Sequence, residues 1–259
     1  MERTLGQIIL QNGDTVERRV SDIIVRFAGA RRVLGTSRLN GGYRTDLDAV
    51  FNHCDQPPGQ SRSVMRAATY REHLALAARE AGLDPARASG LSTALDMKYM
   101  QTAQRSRRGV TVTAVVTGGI LHNGRRAGDR ATMWEENEKF YLAQEDAAET
   151  FPESGTVNII LHITADMTEN AMITAVMVAA EAKAAAIEEE QLQSCYGDGL
   201  ATGSGTDGVI VIADAGSPVL FTQVGTDTIA GECIGQAVKE AVRSSLILNC
   251  KIDGPKEKK

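Results

Sequence analysis

The first fifty residues break into short apolar runs separated by turns rich in Gly and Asn, which predicts β-hairpins. Gln7–Gln11 and Thr15–Val20 flank Asn12-Gly13-Asp14, a tight-turn signal because Asn and Gly tolerate positive φ. Asp22–Phe27 and Arg32–Thr36 flank Ala28-Gly29-Ala30 in the same way, and a second hairpin is expected there. Asn40-Gly41-Gly42 forms a loop before a short strand ending near Phe51-Asn52-His53. Gln56–Ser61, with Pro57-Pro58-Gly59, reads as a linker.

The period changes at Ser63. Val64, Ala67, Ala68, Leu74, Ala75 and Ala78 recur at threes and fours up to Gly82, predicting a helix with Gly82 as its C-cap. Asp84-Pro85 reads as the start of another helix. Val110–Val116 is continuous and β-branched, as in a strand covered on both faces, and runs into Thr117-Gly118-Gly119 and the polar loop Leu121–Asp129. Trp134–Glu149 is acidic and helix-prone. Val157–Ile163 is a strand, and Thr168 caps a helix from about Glu169 to Gln191. The loop Ser194–Gly208 leads into strand Val209–Ala213, Gly216-Ser217-Pro218 turns into Val219–Val224, and a last helix spans about Ala230 to Leu246. The order predicts a mixed α/β fold: a mixed sheet with N-terminal hairpins and helices packed on it. One domain is expected over 1–250, with a helical insertion near 130–154 and a frayed tail at 251–259.

Composition narrows the class. With 259 residues, 42% hydrophobic and 24% charged, the chain has ample apolar material for a core and lacks the extremes of disordered or disulfide-stapled proteins. Its most apolar stretch, Ala171–Ile187, is interrupted by Glu181 and Lys183, short of the ~20 apolar residues of a spanning helix. No cationic flank and apolar h-region open the chain, so a cytoplasmic protein is expected. Residues 1–130 carry 20 Lys/Arg against 12 Asp/Glu, whereas 131–259 carry 8 against 21. The arginines are scattered and not interleaved with aromatics, so the reading favours no nucleic-acid partner and halves that pair or solvate their opposite charges. Cys54, Cys195, Cys233 and Cys250 form no CxxC pair, and His53, His73, His122 and His162 form no HxxxH or HExxH pair. Reduced thiols are the default, and no metal site is announced.

Three groups of residues carry candidate chemistry. Thr202-Gly203-Ser204-Gly205-Thr206-Asp207-Gly208 precedes an apolar strand. Its glycines permit close approach of backbone to a ligand, its hydroxyls are donors, and Asp207 can orient one of them or act as a base. A hairpin turn would explain the glycines but not the hydroxyl–acid cluster. It is not a phosphate loop, because no Lys follows and no helix opens. Glu181 and Lys183 lie on a helix that is apolar almost all round from Ala171 to Ala180, which marks the helix as buried. Two residues apart on a helix, they cannot pair with each other. Each needs another partner, or Glu181 a raised pKa suited to acid–base work; the plain alternative is that both emerge into solvent at the helix end. Finally Asn40, Asn52 and Asn123 on loops at strand ends, and Asn158 on a strand, offer amides that both donate and accept, although such residues serve turns more often than ligands. His53 is a base or a structural histidine, and Cys54 reads as packing.

Taken in order, these segments resemble the adenosylcobinamide amidohydrolases of corrinoid salvage. The resemblance rests on Leu34-Gly35-Thr36-Ser37-Arg38-Leu39-Asn40-Gly41-Gly42, Asn52-His53, Gly90–Met97, Thr117-Gly118-Gly119, Arg126-Ala127-Gly128-Asp129 and Gly155–Ile160. It continues through Ala179–Ala186, Ala201–Asp207 and Gly231–Val238, and spans about residues 22 to 248. It implies hydrolysis of the amide that joins aminopropanol to the corrin-ring acid, giving adenosylcobyric acid and aminopropanol. The corrinoid is then a substrate, and no cofactor is called for. With these motifs the candidate substrate-binding set comprises Asn40, Gly41, Gly42, Asn52, Asp96, Thr117, Asn123, Arg126 and Asn158, with Thr202, Gly203, Ser204, Gly205 and Asp227.

Two departures from the family pattern stand out. Residues 130–154 are longer than the usual connection, and Asp227 stands where many relatives carry His. In the expected mechanism Glu181 or Asp207 is the base, backbone N–H groups of Gly203–Thr206 hold the oxyanion, and Lys183 or His53 protonates the leaving amine. A rival version makes Thr206 a nucleophile that forms an acyl-enzyme. The alternatives are a corrinoid-binding or carrier protein on the same fold and an amidohydrolase for another small amide. No membrane partner is expected, and homo-oligomerisation is left open.

Overall fold

The computed structural model describes residues 2–56, 63–143 and 155–250. Gly13 takes φ +88 and closes the turn between β1 (Gly6–Ile9) and β2 (Thr15–Arg18), as its sequence predicts. β3 (Asp22–Arg26) pairs antiparallel with β2, but β4 (Arg31–Gly35) does not fold back on β3. The expected second hairpin is instead a crossover into another sheet, where β4 pairs with β5 (Gly42–Arg44). Asp14 fixes the crossover: fully buried, its carboxylate accepts from Ala28 N–H at 2.7 Å and from Arg31 Nε and Nη2 at 2.8 and 2.7 Å.

β6 (Ala49–Cys54) returns to the first sheet. The helix predicted from Ser63 starts at Tyr70, because Thr69 caps it: α1 is Tyr70–Glu80, and Thr69 and Glu72 form a reciprocal capping box. Asp84-Pro85 opens a turn and not a helix. Arg87 N–H returns to Asp84 O, and β7 (Ala88–Thr93) begins directly afterwards. Met97–Tyr99 is one 3-10 turn, followed by β8 (Gln101–Arg107) and β9 (Val110–Gly119).

Within Trp134–Glu149 the described residues form no helix. β10 (Met133–Glu136) and β11 (Lys139–Leu142) make a hairpin, with Asn137 and Glu138 both at positive φ as a two-residue turn of this hand requires. Local helix propensity loses there to the turn and to cross-strand pairing. Residues 144–154, the tail 251–259 and the linker residues 57–62 lie outside the described residues. β12 (Thr156–Ile163), β13 (Asp166–Met167), α2 (Glu169–Glu189), β14 (Gly208–Asp214), β15 (Leu220–Phe221) and α3 (Ile229–Cys250) complete the order.

The first sheet runs β1-β2-β3-β6-β7 and the second β5-β4-β14-β12-β9-β8, both of mixed orientation. Alternation along the strands builds four layers. Inner residues such as Ile23, Val25, Val50, Val115, Ile160, Ile210 and Ile212 pack the sheets together. The first sheet's outer face, with Ile24 and Phe51, meets Leu74 and Ala77 of α1. The second sheet's outer face, with Val112, Ile159 and Val211, meets α2 and α3.

Polar residues pin the inter-sheet core at both ends. At one end Asp14 joins Arg31, His162 (Nε2 at 2.9 Å) and, through Arg31, Asp214. At the other, Asn52 Nδ2 donates to Thr117 Oγ1 at 2.9 Å, and Asn158 Nδ2 donates to Asn52 Oδ1 at 2.7 Å and to Ser92 O at 2.8 Å. By length and composition α2 could cross a membrane; in this fold one side of it is buried against the second sheet and α3.

A candidate active site between the ends of the sheets

Above the Asn52–Thr117–Asn158 pins the sheets part, and a cleft of about 490 Å³ opens between them. One wall comes from the first sheet and α1: Asp55, Tyr70 and Ser92. The other comes from the second sheet: Asn123, Thr156, Ser204 and Thr206. A more apolar lobe of about 680 Å³, reaching Met65, Leu91 and Phe140, shares Tyr70, Ser92, Met133, Gly205 and Thr206 with it. Those five residues form a waist between the two lobes. Hairpin β10–β11 supplies Met133 to both lobes and Glu138 and Phe140 to the second.

The Gly203–Asp207 loop is held by one carboxylate. Asp207 Oδ1 accepts from Ser204 Oγ at 2.6 Å and from Val157 N–H at 2.9 Å; Ser204 N–H reaches both oxygens at 3.2 Å, and Lys183 Nζ pairs with Oδ2. Lys183 thus finds the distant partner that its helix position demanded. Gly203 is the residue that allows this, since a Cβ there would stand 2.1 Å from Asp207 Oδ2 and 2.7 Å from Lys183 Nζ. The clamp presents Thr206 Oγ1 at the waist, 3.2 Å from both Ser204 Oγ and Thr156 Oγ1 and 3.3 Å from Gly155 O. Gly203 N–H returns to Arg125 O and Thr206 N–H leans on Ser204 Oγ at 3.3 Å, whereas Gly205 N–H has no partner among the described residues. Of the four amides expected to hold an oxyanion, that of Gly205, a residue lining both lobes, is the one left uncommitted among the described residues.

Opposite lies a chain the sequence reading missed. His73, fully buried on α1, accepts Arg66 N–H at Nδ1 (3.2 Å) and donates from Nε2 to Asp55 Oδ1 at 2.7 Å. Ser92 Oγ donates to Asp55 Oδ2 at 2.5 Å, and the Tyr70 hydroxyl meets Ser92 Oγ. Burial pushes the Tyr70 phenol above its ordinary pKa, partly offset by Ser92. Ser92 lies inside the Gly90–Met97 motif and Asp55 beside His53-Cys54, but no local spacing joins residues 55, 70, 73 and 92. At the far end of the cleft Arg125 stacks on Tyr196, 3.7 Å from the ring centroid.

Several expected residues stand elsewhere. Glu181 is exposed on α2, not buried among apolar neighbours: two residues from Lys183, it points away from Asp207. The helix has an open side, with Ile173 and Met177 more than half exposed. Strand alternation turns His53 toward α1, where its Nδ1 meets Asp22 Oδ1 at 2.8 Å, and it lines neither lobe. Lys183 lies beneath the loop and also lines neither. Asn40 supports the fold, at φ +51 with its amide donating to Pro85 O and Ala88 O. Gly41 packs against Ser37 O, and Gly42, at φ +74, begins β5. Asp96 is exposed and caps the 3-10 turn. Arg126 binds Leu200 O and Glu188, and Thr202 Oγ1 accepts Ala127 N–H.

Asn52 and Thr117 are pins below the cleft; Asn158 is a pin that also lines the apolar lobe. Asn123 lines the polar lobe, its Nδ2 spent on Gly155 O and its buried Oδ1 without a partner among the described residues. Asp227 is exposed in the turn before α3, beside a separate hollow that takes in Val110, where β9 begins. The cleft lies at the opposite end of that ten-residue strand, roughly 30 Å away. Burial raises the Cys54 thiol, which suits its reading as packing. Among the described residues no three His, Cys, Asp or Glu gather as a metal-binding group.

The chain has relatives over most of its length. It is 32% identical over 241 residues to an uncharacterized protein of Methanocaldococcus jannaschii, covering 92% of this chain and 91% of that one. It is 27% identical over 218 residues to the adenosylcobinamide amidohydrolase of Methanosarcina mazei, covering 81% and 88%. Among solved structures, a β-aminopeptidase of Burkholderia sp. aligns at TM-score 0.43 and 13% identity over 90% of this chain and 80% of that one. The model of the adenosylcobinamide amidohydrolase family matches residues 9–254, and the chain belongs to that family.

Proposed function

We propose that the protein hydrolyses the amide joining aminopropanol to the corrin ring of adenosylcobinamide, releasing adenosylcobyric acid and aminopropanol. The observation that carries this reading is the clamped loop. It sets the Thr206 hydroxyl beside the uncommitted Gly205 N–H, at the waist between a polar lobe and a larger apolar one. A hydroxyl and an oxyanion donor on adjacent residues are what acyl transfer from an amide requires. The two lobes suit a substrate with a large ring system on one side of the scissile bond and a short polar arm on the other. Thr206 is the nucleophile in this reading, Asp207 and Lys183 hold the loop, and the corrinoid is substrate and not cofactor.

Incubation of the protein with adenosylcobinamide, followed by mass spectrometry, tests this directly. Adenosylcobyric acid and aminopropanol are expected. Tight binding without products would identify a corrinoid carrier, and neither binding nor turnover would point to another small amide. A covalent corrinoyl adduct trapped on Thr206 is the expected intermediate; incorporation of solvent oxygen without any adduct, and turnover by Thr206→Ala, would favour direct attack by water.

A further inference from the structure

The clamped loop leaves the reaction short of a proton carrier. Amide hydrolysis needs a proton removed from the attacking hydroxyl and delivered to the departing nitrogen. Asp207 is poorly placed to do either. Its roughly four lone-pair sites are taken by Lys183, Ser204 Oγ, Ser204 N–H and Val157 N–H. Lys183 and His53 line neither lobe.

We infer that the Tyr70–Ser92–Asp55–His73 chain on the facing wall is the proton relay of this site, with Asp55 as its terminal acceptor. The inference rests on the amide-hydrolysis reading above. The donors are already aligned for it. His73 accepts a backbone N–H at Nδ1, so its one ring proton sits on Nε2 and points at Asp55. The Ser92 proton also points at Asp55, and the Tyr70 proton therefore points at Ser92. Every proton in the chain is directed inward, Tyr70 lines the waist with its oxygen free to accept, and among the described residues Asp55 keeps two lone-pair sites open.

When the Thr206 oxygen bonds to the amide carbon, its proton passes to the Tyr70 oxygen. The Tyr70 proton moves to Ser92, and the Ser92 proton to Asp55 Oδ2. The carbonyl electron pair moves onto the oxygen beside Gly205 N–H. When that pair returns, the C–N bond breaks with its electrons on nitrogen; the Asp55 proton moves back to Ser92, the Ser92 proton to Tyr70, and Tyr70 passes its proton to the departing nitrogen, leaving a neutral amine. Water then repeats the cycle on the ester and restores the Thr206 hydroxyl. No other reactant is required.

Tyr70→Phe and Asp55→Asn test the relay with one oxygen removed or one exchanged for nitrogen. Each is expected to lower kcat for aminopropanol release by ~10²-fold or more, with KM changed less than about threefold. The double variant is expected to lose no more than the worse single variant, because both interrupt one chain. A purely structural role would not produce that non-additivity. Either single variant, folded by circular dichroism and within about threefold of the wild type, would overturn the inference. So would a double loss equal to the product of the single losses. Should Asp55→Asn fail to fold, Ser92→Ala paired with Tyr70→Phe makes the same comparison. Failure of the wild type to release aminopropanol would instead sink the proposed reaction itself.

Discussion

Gly203 carries more of the site than its lack of a side chain suggests. A methyl group there would enter the space of the Asp207–Lys183 pair, so Gly203→Ala must push the loop or break the ion pair. The expected cost is about 1–3 kcal/mol in thermal or chemical unfolding. Displacing Thr206 by as little as 1 Å should also cut turnover by ~10²-fold. Glu181 makes the opposite case. Exposed and turned away from Asp207, it should tolerate Glu181→Gln with stability unchanged to within about 0.5 kcal/mol and turnover near that of the wild type. A large loss of aminopropanol release in that variant would return Glu181 to the site. The Thr202–Gly208 cluster could be read from its own seven letters because its hydroxyls and carboxylate are contiguous in the chain, although Asp207 also reaches Val157 and Lys183, and Thr206 reaches Thr156. Asp55, Tyr70, His73 and Ser92 could not, since their meeting depends on α1 lying over the ends of β6 and β7.

Elements follow the same division. β9 and β12, continuous and β-branched, lie where periodicity put them, and Thr168 caps α2 as expected. Errors came where a local preference met a stronger neighbour. The recurrence at threes and fours from Ser63 predicts a longer helix, but the Thr69 capping box starts it seven residues later. Replacing Thr69 by Ala should cost about 1 kcal/mol in urea unfolding. Because Tyr70 follows the cap directly, the same change should also lower kcat if the relay operates. Trp134–Glu149 shows the reverse failure: helix-prone side chains in a segment whose Asn137-Glu138 turn, as far as Leu142, makes a hairpin. Ala28-Gly29-Ala30 is a turn, as its composition predicts, yet no local signal tells a hairpin from a crossover.

Across the whole molecule, the charge asymmetry between halves resolves into cross-pairing. Arg31, Arg32, Arg105, Arg107 and Arg126 from the basic half reach Asp214, Asp166, Glu240, Glu232 and Glu188 from the acidic half. The exposed ones, such as Arg105–Glu240 and Arg107–Glu232, contribute at most about 1 kcal/mol each. The buried Asp14 cluster differs. Burial raises the Asp14 pKa, but hydrogen bonds from His162, Arg31 and the Ala28 amide outweigh it and hold the carboxyl at about 2, below its ordinary 3.8. A lowered carboxyl pKa stabilises the fold fully above the unfolded value and loses that contribution as pH falls through the folded one. Between pH 5 and pH 2 the wild type should therefore lose roughly 2 kcal/mol more in urea unfolding than Asp14→Asn, which starts lower and varies less. Equal slopes for the two proteins would remove Asp14 from that role. The sequence alone determined the mixed α/β class, most strand and helix positions, the Gly203–Asp207 loop and the family, because each is written in local periodicity or contiguous motif. Only tertiary structure decided that two sheets face each other, that Lys183 serves Asp207 while Glu181 meets solvent, and that Asp227 stands a strand's length from the cleft. Those outcomes depend on which faces come together, and a contact between residues far apart in the chain leaves no periodic trace in either segment.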